Sequence, residues 1–291
     1  MTISADLCGY PGYFTYIYRV NNKIIKVMLN KTVKISKGIG GIVSKRFKPV
    51  VSTMDEFKFD KKLFQPMPTG KKIDPLFSSE GGLMKGTNYA FVGDPGVGKT
   101  TLMLDILADQ QKKGNKVLFI SGEMNRIDMV GYVKRYPKFG QVPILFMGDY
   151  IENDPLVVLS AVLSDGYDVV LVDSFAEVAV AVVDAHGGTM KNAETKILNI
   201  LEQHNQGNNR SKCNTSFMLI QQVTKGGEFA GSNRFKHMLT GMAHMKFDGD
   251  GGRFIYFSKN RRGGEMNKLF FSLNNANHVG WLFTEPHNME I

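Results

Sequence analysis

The sequence predicts an α/β fold built on a mostly parallel sheet, with antiparallel strands toward its C-terminus and a small basic β-rich segment at its N-terminus. Three observations carry this. Short apolar runs alternate with helical segments from Gly82 onward, one run leads through a Gly-rich loop into a helix, and another ends in an acid. Strands buried on both faces read as continuous apolar runs, which is what these segments show.

Residues 13–20 and 23–29, around Asn21-Asn22, read as a hairpin, with a third strand over 31–37. Gly38-Ile39-Gly40-Gly41 breaks the pattern, and residues 44–62 are polar, basic and poorly periodic, as in a linker. The expected division is therefore an N-terminal segment, 1–65, and a larger domain, 66–291. In the larger domain Tyr89-Ala90-Phe91-Val92 is the first strand and residues 101–107 start the first helix. Further strands are expected over 116–121, 144–147 (opened by Pro143), 168–173 and 216–221, the last preceded by a helix over 192–204. The tail, 243–247, 253–258 and 268–273, is strand after strand with Gly-rich turns, which predicts an antiparallel extension of the same sheet.

The 291 residues suffice for a core that needs no staples, and the two cysteines, Cys8 and Cys213, support neither a disulfide framework nor a zinc site. No basic, apolar leader opens the chain and no stretch approaches the roughly 20 apolar residues of a membrane span, so a cytoplasmic protein without a membrane is expected. The net charge of +9 is localised. Residues 1–75 hold fourteen Lys/Arg against five Asp/Glu, whereas 76–291 hold twenty-two of each. Between Asp6 and Asp55 nine basic residues, among them Lys31, Lys34 and Lys37, meet no acid. Interleaved with Tyr13, Phe14, Tyr16 and Tyr18, they read either as a platform for single-stranded nucleic acid or as a β-appendage with a solubilised edge.

Gly93-Asp94-Pro95-Gly96-Val97-Gly98-Lys99-Thr100 fits the phosphate-binding pattern G-x-x-x-x-G-K-[ST] between a strand and a helix, with Thr101 next. Glycines let successive N–H groups point into one concavity at a helix N-terminus. Lys99 would meet the β- and γ-phosphates of ATP and the Thr100 hydroxyl would ligate Mg²⁺. Val169-Val170-Leu171-Val172-Asp173 supplies the strand-end carboxylate such a site needs, so Asp173 is the second metal residue. Glu123, after Ser121-Gly122, would face the same crevice, where it reads either as the base for an attacking water or as a solvated loop acid. Gln221 and Gln222 end another strand, where a buried amide could sense the γ-phosphate or merely pair with backbone. Lys259-Asn260-Arg261-Arg262-Gly263-Gly264 reads as a basic turn between two strands.

In order, Thr69-Gly70, Gly81-Gly82-Leu83-Met84-Lys85-Gly86, the phosphate loop, Ser121-Gly122-Glu123, Val172-Asp173-Ser174, Val223-Thr224-Lys225-Gly226, Ala230-Gly231, His237-Met238-Leu239, Phe247-Asp248-Gly249-Asp250 and Lys259-Asn260-Arg261 resemble the bacterial DNA-repair ATPases of the RadA (Sms) family, within the RecA/DnaB group. The resemblance implies a RecA-like fold and a homo-oligomeric, hexameric ring with active sites at subunit interfaces. It makes Glu123 the catalytic base, Gln222 the sensor, and Lys259 and Arg261 the groups that reach a neighbour's γ-phosphate. It also implies single-stranded DNA bound by loops around 184–191 and 225–234, hence Lys191, Lys225 and Arg234, in replication, recombination or repair alongside other proteins of those systems. Departures are the missing four-cysteine zinc module and Lon-like domain, Arg262 where RadA has Phe, and Thr240 where it has an acid. A helicase or branch-migration motor is the function expected; a strand-exchange recombinase and a KaiC-like regulatory ATPase without nucleic acid are the alternatives.

Overall fold

The computed structural model describes residues 17–20, 23–26, 51–56, 58, 60–222, 231–273 and 279–281. The chain divides into two units, Met1–Phe57 and Lys58–Ile291. In the first, β1 (Ile17–Val20) and β2 (Lys23–Lys26) pair antiparallel with Val20 opposite Lys23. The expected third strand, with Lys31, Lys34 and Lys37, lies outside the described residues.

The second unit is built on nine strands: β3 (Asn88–Gly93), β4 (Val117–Ser121), β5 (Ile144–Phe146), β6 (Val169–Asp173), β7 (Ser216–Gln222), β8 (Gly241–Phe247), β9 (Arg253–Asn260), β10 (Leu269–Leu273) and β11 (Val279–Trp281). Their order is β11-β10-β9-β8-β3-β7-β6-β4-β5. Every residue of β3, β4 and β6 is buried, because helices lie on both faces. Those helices are α1 (Asp74–Phe77), α2 (Lys99–Lys112), α3 (Arg126–Arg135), α4 (Pro155–Leu163), α5 (Phe175–His186), α6 (Met190–Asn205) and α7 (Asn233–Met238). On one face α1 and α2 bury Phe77, Leu102 and Ile106 against Tyr89, Phe91 and Phe257. On the other, α4 to α7 bury Leu159, Phe175, Leu198 and Phe235 against Ala90, Val170 and Leu219.

The mixed sheet agrees with the sequence, with one correction. The tail pattern assigns β8 to the antiparallel extension, but β8 lies parallel to β3 and only β9, β10 and β11 alternate in direction. The physical reason is the crossover through α7, which returns the chain to the edge of β3 in the same sense as β7. A second correction concerns 184–191, expected as a loop. Asp184 is in the last turn of α5 and Lys191 in the first turn of α6, leaving Gly187-Gly188-Thr189 as the connection. Thr189 caps α6 by accepting from the Asn192 N–H.

Candidate nucleotide-binding site

In a parallel sheet, residues just beyond the carboxyl ends of the strands share one crevice. β3 ends at Gly93, where it lies opposite Gln222 of β7 on one side and Met245 of β8 on the other. The loop then turns around Val97, which is fully buried and anchors it to the core. Gly98 holds a φ of 98°, and a Cβ there would run into Leu273 of β10, so the position demands glycine. With no side chain capping α2, its first-turn N–H groups face the concavity of the loop.

Lys99 folds over that concavity and donates to the carbonyls of Gly93 (2.8 Å) and Asp94 (3.0 Å). Burial lowers its pKa, opposed by Asp173, Asp94 and Glu123. Thr100 donates to Asp173 at 2.5 Å. Asp173 is set by pairing: it lies opposite Ser121 of β4, and its carbonyl accepts from the Gly122 N–H at 2.7 Å. Burial drives the Asp173 pKa up to about 6; the Thr100 bond and Lys99 act against this and Glu123 with it. Glu123, next along from Gly122, is exposed at the rim.

Lys99, Thr100, Asp173, Glu123 and Gln222 thus line one cleft of about 720 Å³. The buried amide anticipated at this strand end is Gln221; Gln222, the residue at the cleft, is exposed, since the strand's alternation turns only one of the pair inward. The donor set suits a magnesium nucleotide: a buried carboxylate and a hydroxyl side by side, a lysine, and a glycine loop at a helix N-terminus.

Residues not singled out from the sequence also line the cleft. Tyr132, Arg135 and Tyr136 come from α3 and its end, and Arg253 from β9. The Tyr132 pKa is raised chiefly by burial, with Arg135 and hydrogen bonds to Thr101 and Thr100 acting the other way. The signal was legible: Asn125 accepts from Ile127 and Asp128, and Asp128 accepts from Asn125, a capping box that announces α3. Beneath the loop, α2 is held by charge. Asp105, fully buried, pairs with Lys71 and Lys138, and both lysines also reach Asp109.

Lys259 and Arg261 stand apart from this cleft. Lys259 and Asn260 end β9 rather than occupying a turn as expected, and a bulge puts Lys259 opposite Met242 while Phe257 stays opposite Ala243. Ser258 is the extra residue, and the irregularity re-aims the side chains beyond it. Lys259 donates to the Lys236 carbonyl at 2.5 Å and Arg261 to the His237 carbonyl at 2.9 Å, so both sit at the C-terminal end of α7. Asn260 goes to the opposite side, donating to the carbonyls of Leu76 (2.7 Å) and Phe77 (3.0 Å). The N–H of Ser232, which caps α7, donates to the Glu194 carboxylate of α6 at 3.1 Å. This ties together the first turns that carry Lys191 and Arg234, both exposed. Lys225 lies outside the described residues.

No protein-family model matches the chain. Curated relatives do. It is 26% identical over 239 residues to the DNA repair protein RadA of Mycobacterium tuberculosis (strain H37Rv), a match covering 79% of this chain and 46% of that protein. It is 29% identical over 190 residues to the DNA repair protein RadA of Campylobacter jejuni, covering 63% and 39%. The resemblance to RadA carried by the motifs is therefore borne out over most of the chain, which spans less than half the length of these relatives. Among solved structures, a KaiC-like protein from the hyperthermophilic archaeon Pyrococcus horikoshii superposes with a TM-score of 0.54 at 16% identity, covering 76% of this chain and 98% of that one. The fold is RecA-like. Among the described residues no helix is long and apolar enough to cross a membrane.

Proposed function

We propose that this chain is an ATP-hydrolysing, single-stranded-DNA-dependent motor of the RadA/DnaB kind, acting as a helicase or branch-migration ATPase in DNA recombination, repair or replication. The observation that carries the reading is the convergence of Lys99, Thr100, Asp173, Glu123 and Gln222 on one cleft at the carboxyl edge of the sheet. The names of its relatives supply the DNA.

Lys99 and the first-turn N–H groups of α2 would bind the phosphates, and Thr100 and Asp173 would hold Mg²⁺. That ion, when bound, neutralises charge developing on the transferred phosphoryl. Glu123, exposed at the rim, is free to orient and deprotonate a water. Gln222, opposite Gly93, reports the γ-phosphate to the segment after β7. Lys259 and Arg261 act on a neighbour's nucleotide in a hexameric ring. Lys191, Arg234 and, by the resemblance, Lys225 face single-stranded DNA. The motor domain spans 66–291, and the basic segment 1–65, with Lys31, Lys34 and Lys37, adds nucleic-acid affinity.

Phosphate release with and without a single-stranded oligonucleotide tests this. Stimulation by the oligonucleotide, with ring-shaped particles by electron microscopy, is the expected result. Hydrolysis indifferent to DNA would favour the KaiC-like regulatory reading, and homologous pairing without strand separation a recombinase.

A further inference from the structure

The layer of α4 to α7 stops at β8: its core takes in Phe235, Leu239 and Met242 and no residue of β9 or β10. Pairing and alternation therefore set His244 and Lys246 of β8, Phe254 and Tyr256 of β9, and Phe270 of β10 side by side beyond that layer. Their rings form a row. His244 stacks on Tyr256 with centroids 5.2 Å apart and planes at 19°, Tyr256 on Phe254 at 6.0 Å and 27°, and Phe270 lies 5.5 Å from Phe254. These are offset arrangements, like tiles. Phe254 and Phe270 are buried beneath, while His244 and Tyr256 are half-buried, so part of each ring meets solvent.

Cations surround the row. Lys268 lies 4.8 Å from the Phe254 ring centre, and Lys246 is exposed directly opposite Phe254. Burial, Lys246 and Lys236 together hold the His244 pKa below its ordinary value. Strands β8 to β10 carry no acid; in the β8–β9 turn Asp248 accepts from the N–H groups of Asp250 and Gly252, and Asp250 is exposed.

We propose that this face of β8, β9 and β10 is a second binding surface for single-stranded nucleic acid, on which bases stack against Tyr256 and His244 while Lys246 and Lys268 meet phosphates. Single-stranded nucleic acid is the partner that combines flat apolar rings with a regular row of negative charge, and the face offers the complement of both. An ordinary cross-strand aromatic ladder would need no flanking lysines on strands that carry no acid. The surface is separate from the elements carrying Lys191 and Arg234, so it does not depend on their role.

The test uses the full chain and fluorescence anisotropy with a labelled oligo-dT and an abasic oligomer of equal length. Tyr256→Thr should lose roughly 5- to 150-fold in affinity for oligo-dT, the equivalent of one stacked base, with little change for the abasic strand, and Tyr256→Phe should bind like the parent. Lys246→Glu should weaken both and flatten the log–log salt slope by about 0.7; if Tyr256→Thr does not fold, this variant decides alone. Unchanged affinity and slope in the variants overturn the proposal. So does a change in DNA-free sedimentation with affinity intact, which would make the face a contact between copies of this chain. Loss of DNA-stimulated hydrolysis in Arg234→Ala reports on the proposed function independently. Stimulation that persists beside an inert Tyr256→Thr sinks only the second surface, and Tyr256-dependent binding without any stimulation sinks only the motor.

Discussion

Thr100 donates its hydroxyl to Asp173 at 2.5 Å across the floor of the cleft, and burial leaves that carboxyl with a pKa of about 6. An unfolded aspartate titrates near 3.9, so the fold favours the protonated form. The associated stability is fully present below about 3.9 and is lost as pH rises through about 6, amounting to roughly 3 kcal/mol once ionisation is complete. In metal-free protein Asp173→Asn should therefore melt above the parent at pH 7.5, with the gap closing as pH falls toward 4. A gap independent of pH would show that Asp173 is not desolvated in solution.

Removing the proton acceptor should separate binding from turnover. Glu123→Gln keeps ATP affinity while losing roughly 10²- to 10⁴-fold in hydrolysis, the usual worth of a positioned base. Lys99→Ala, which removes the charge on the phosphates, should fail at both. A fluorescent nucleotide and a phosphate-release assay read the two quantities, and unimpaired turnover in Glu123→Gln would dismiss Glu123 as the base.

Arg261 rests on the His237 carbonyl and does not line the cleft around Lys99, so the proposed function has it act on a neighbouring copy. Arg261→Ala should bind ATP nearly as the parent does and hydrolyse it roughly 10³- to 10⁵-fold more slowly. Mixed with Lys99→Ala subunits it should regain activity, because intact finger and intact loop can meet at some interfaces. Mixtures no more active than their components would place the finger elsewhere.

The Asp105 carboxylate is fully buried and has no solvent to turn to if Lys71 and Lys138 are removed, whereas the two lysines keep Asp109 and part of their exposure. Removing both lysines (Lys71→Ala with Lys138→Ala) strands the buried carboxylate and should cost about 3–5 kcal/mol by urea unfolding, the range for breaking a buried ion pair. A loss below about 1 kcal/mol would mean the network behaves as an exposed one.

Deleting residues 13–48 should weaken oligonucleotide binding and flatten its salt dependence, since each neutralised phosphate contributes about −0.7 to the slope on single strands. Basal hydrolysis should persist. Identical affinity and slope in the deletion variant would leave those lysines as solubilising groups only.

Much of this was legible locally. The strand–loop–helix around Lys99 and the strand ending in Asp173 are contiguous signals, and the structure joins them through β7, which pairs with both β3 and β6. The direction of β8 was not legible, because 243–247 reads the same in either sense and its sense is set by where α7 delivers the chain. Nor was the approach of Tyr132 to Thr100 and Thr101, which depends on α3 folding back over the loop rather than on any spacing. The offset of Lys259 from the cleft around Lys99 was likewise hidden, since periodicity assigns alternate sides and a single unpaired residue reverses them.

That unpaired residue, Ser258, makes the end of β9 a matter of parity. Deleting it would restore an unbroken ladder with β8 and, on pairing alone, a more regular sheet. The shortened strand would keep its last two residues on their present sides, because Lys259 would follow Phe257 directly and still face Met242, with Asn260 still facing Gly241. It is a regular ladder with Ser258 retained that would turn Lys259 to the Phe257 side and Asn260 away from the Leu76 and Phe77 carbonyls. The bulge thus lets a strand one residue longer than its partner keep the Lys259 ammonium at the end of α7 and the Asn260 amide on the Leu76 and Phe77 carbonyls.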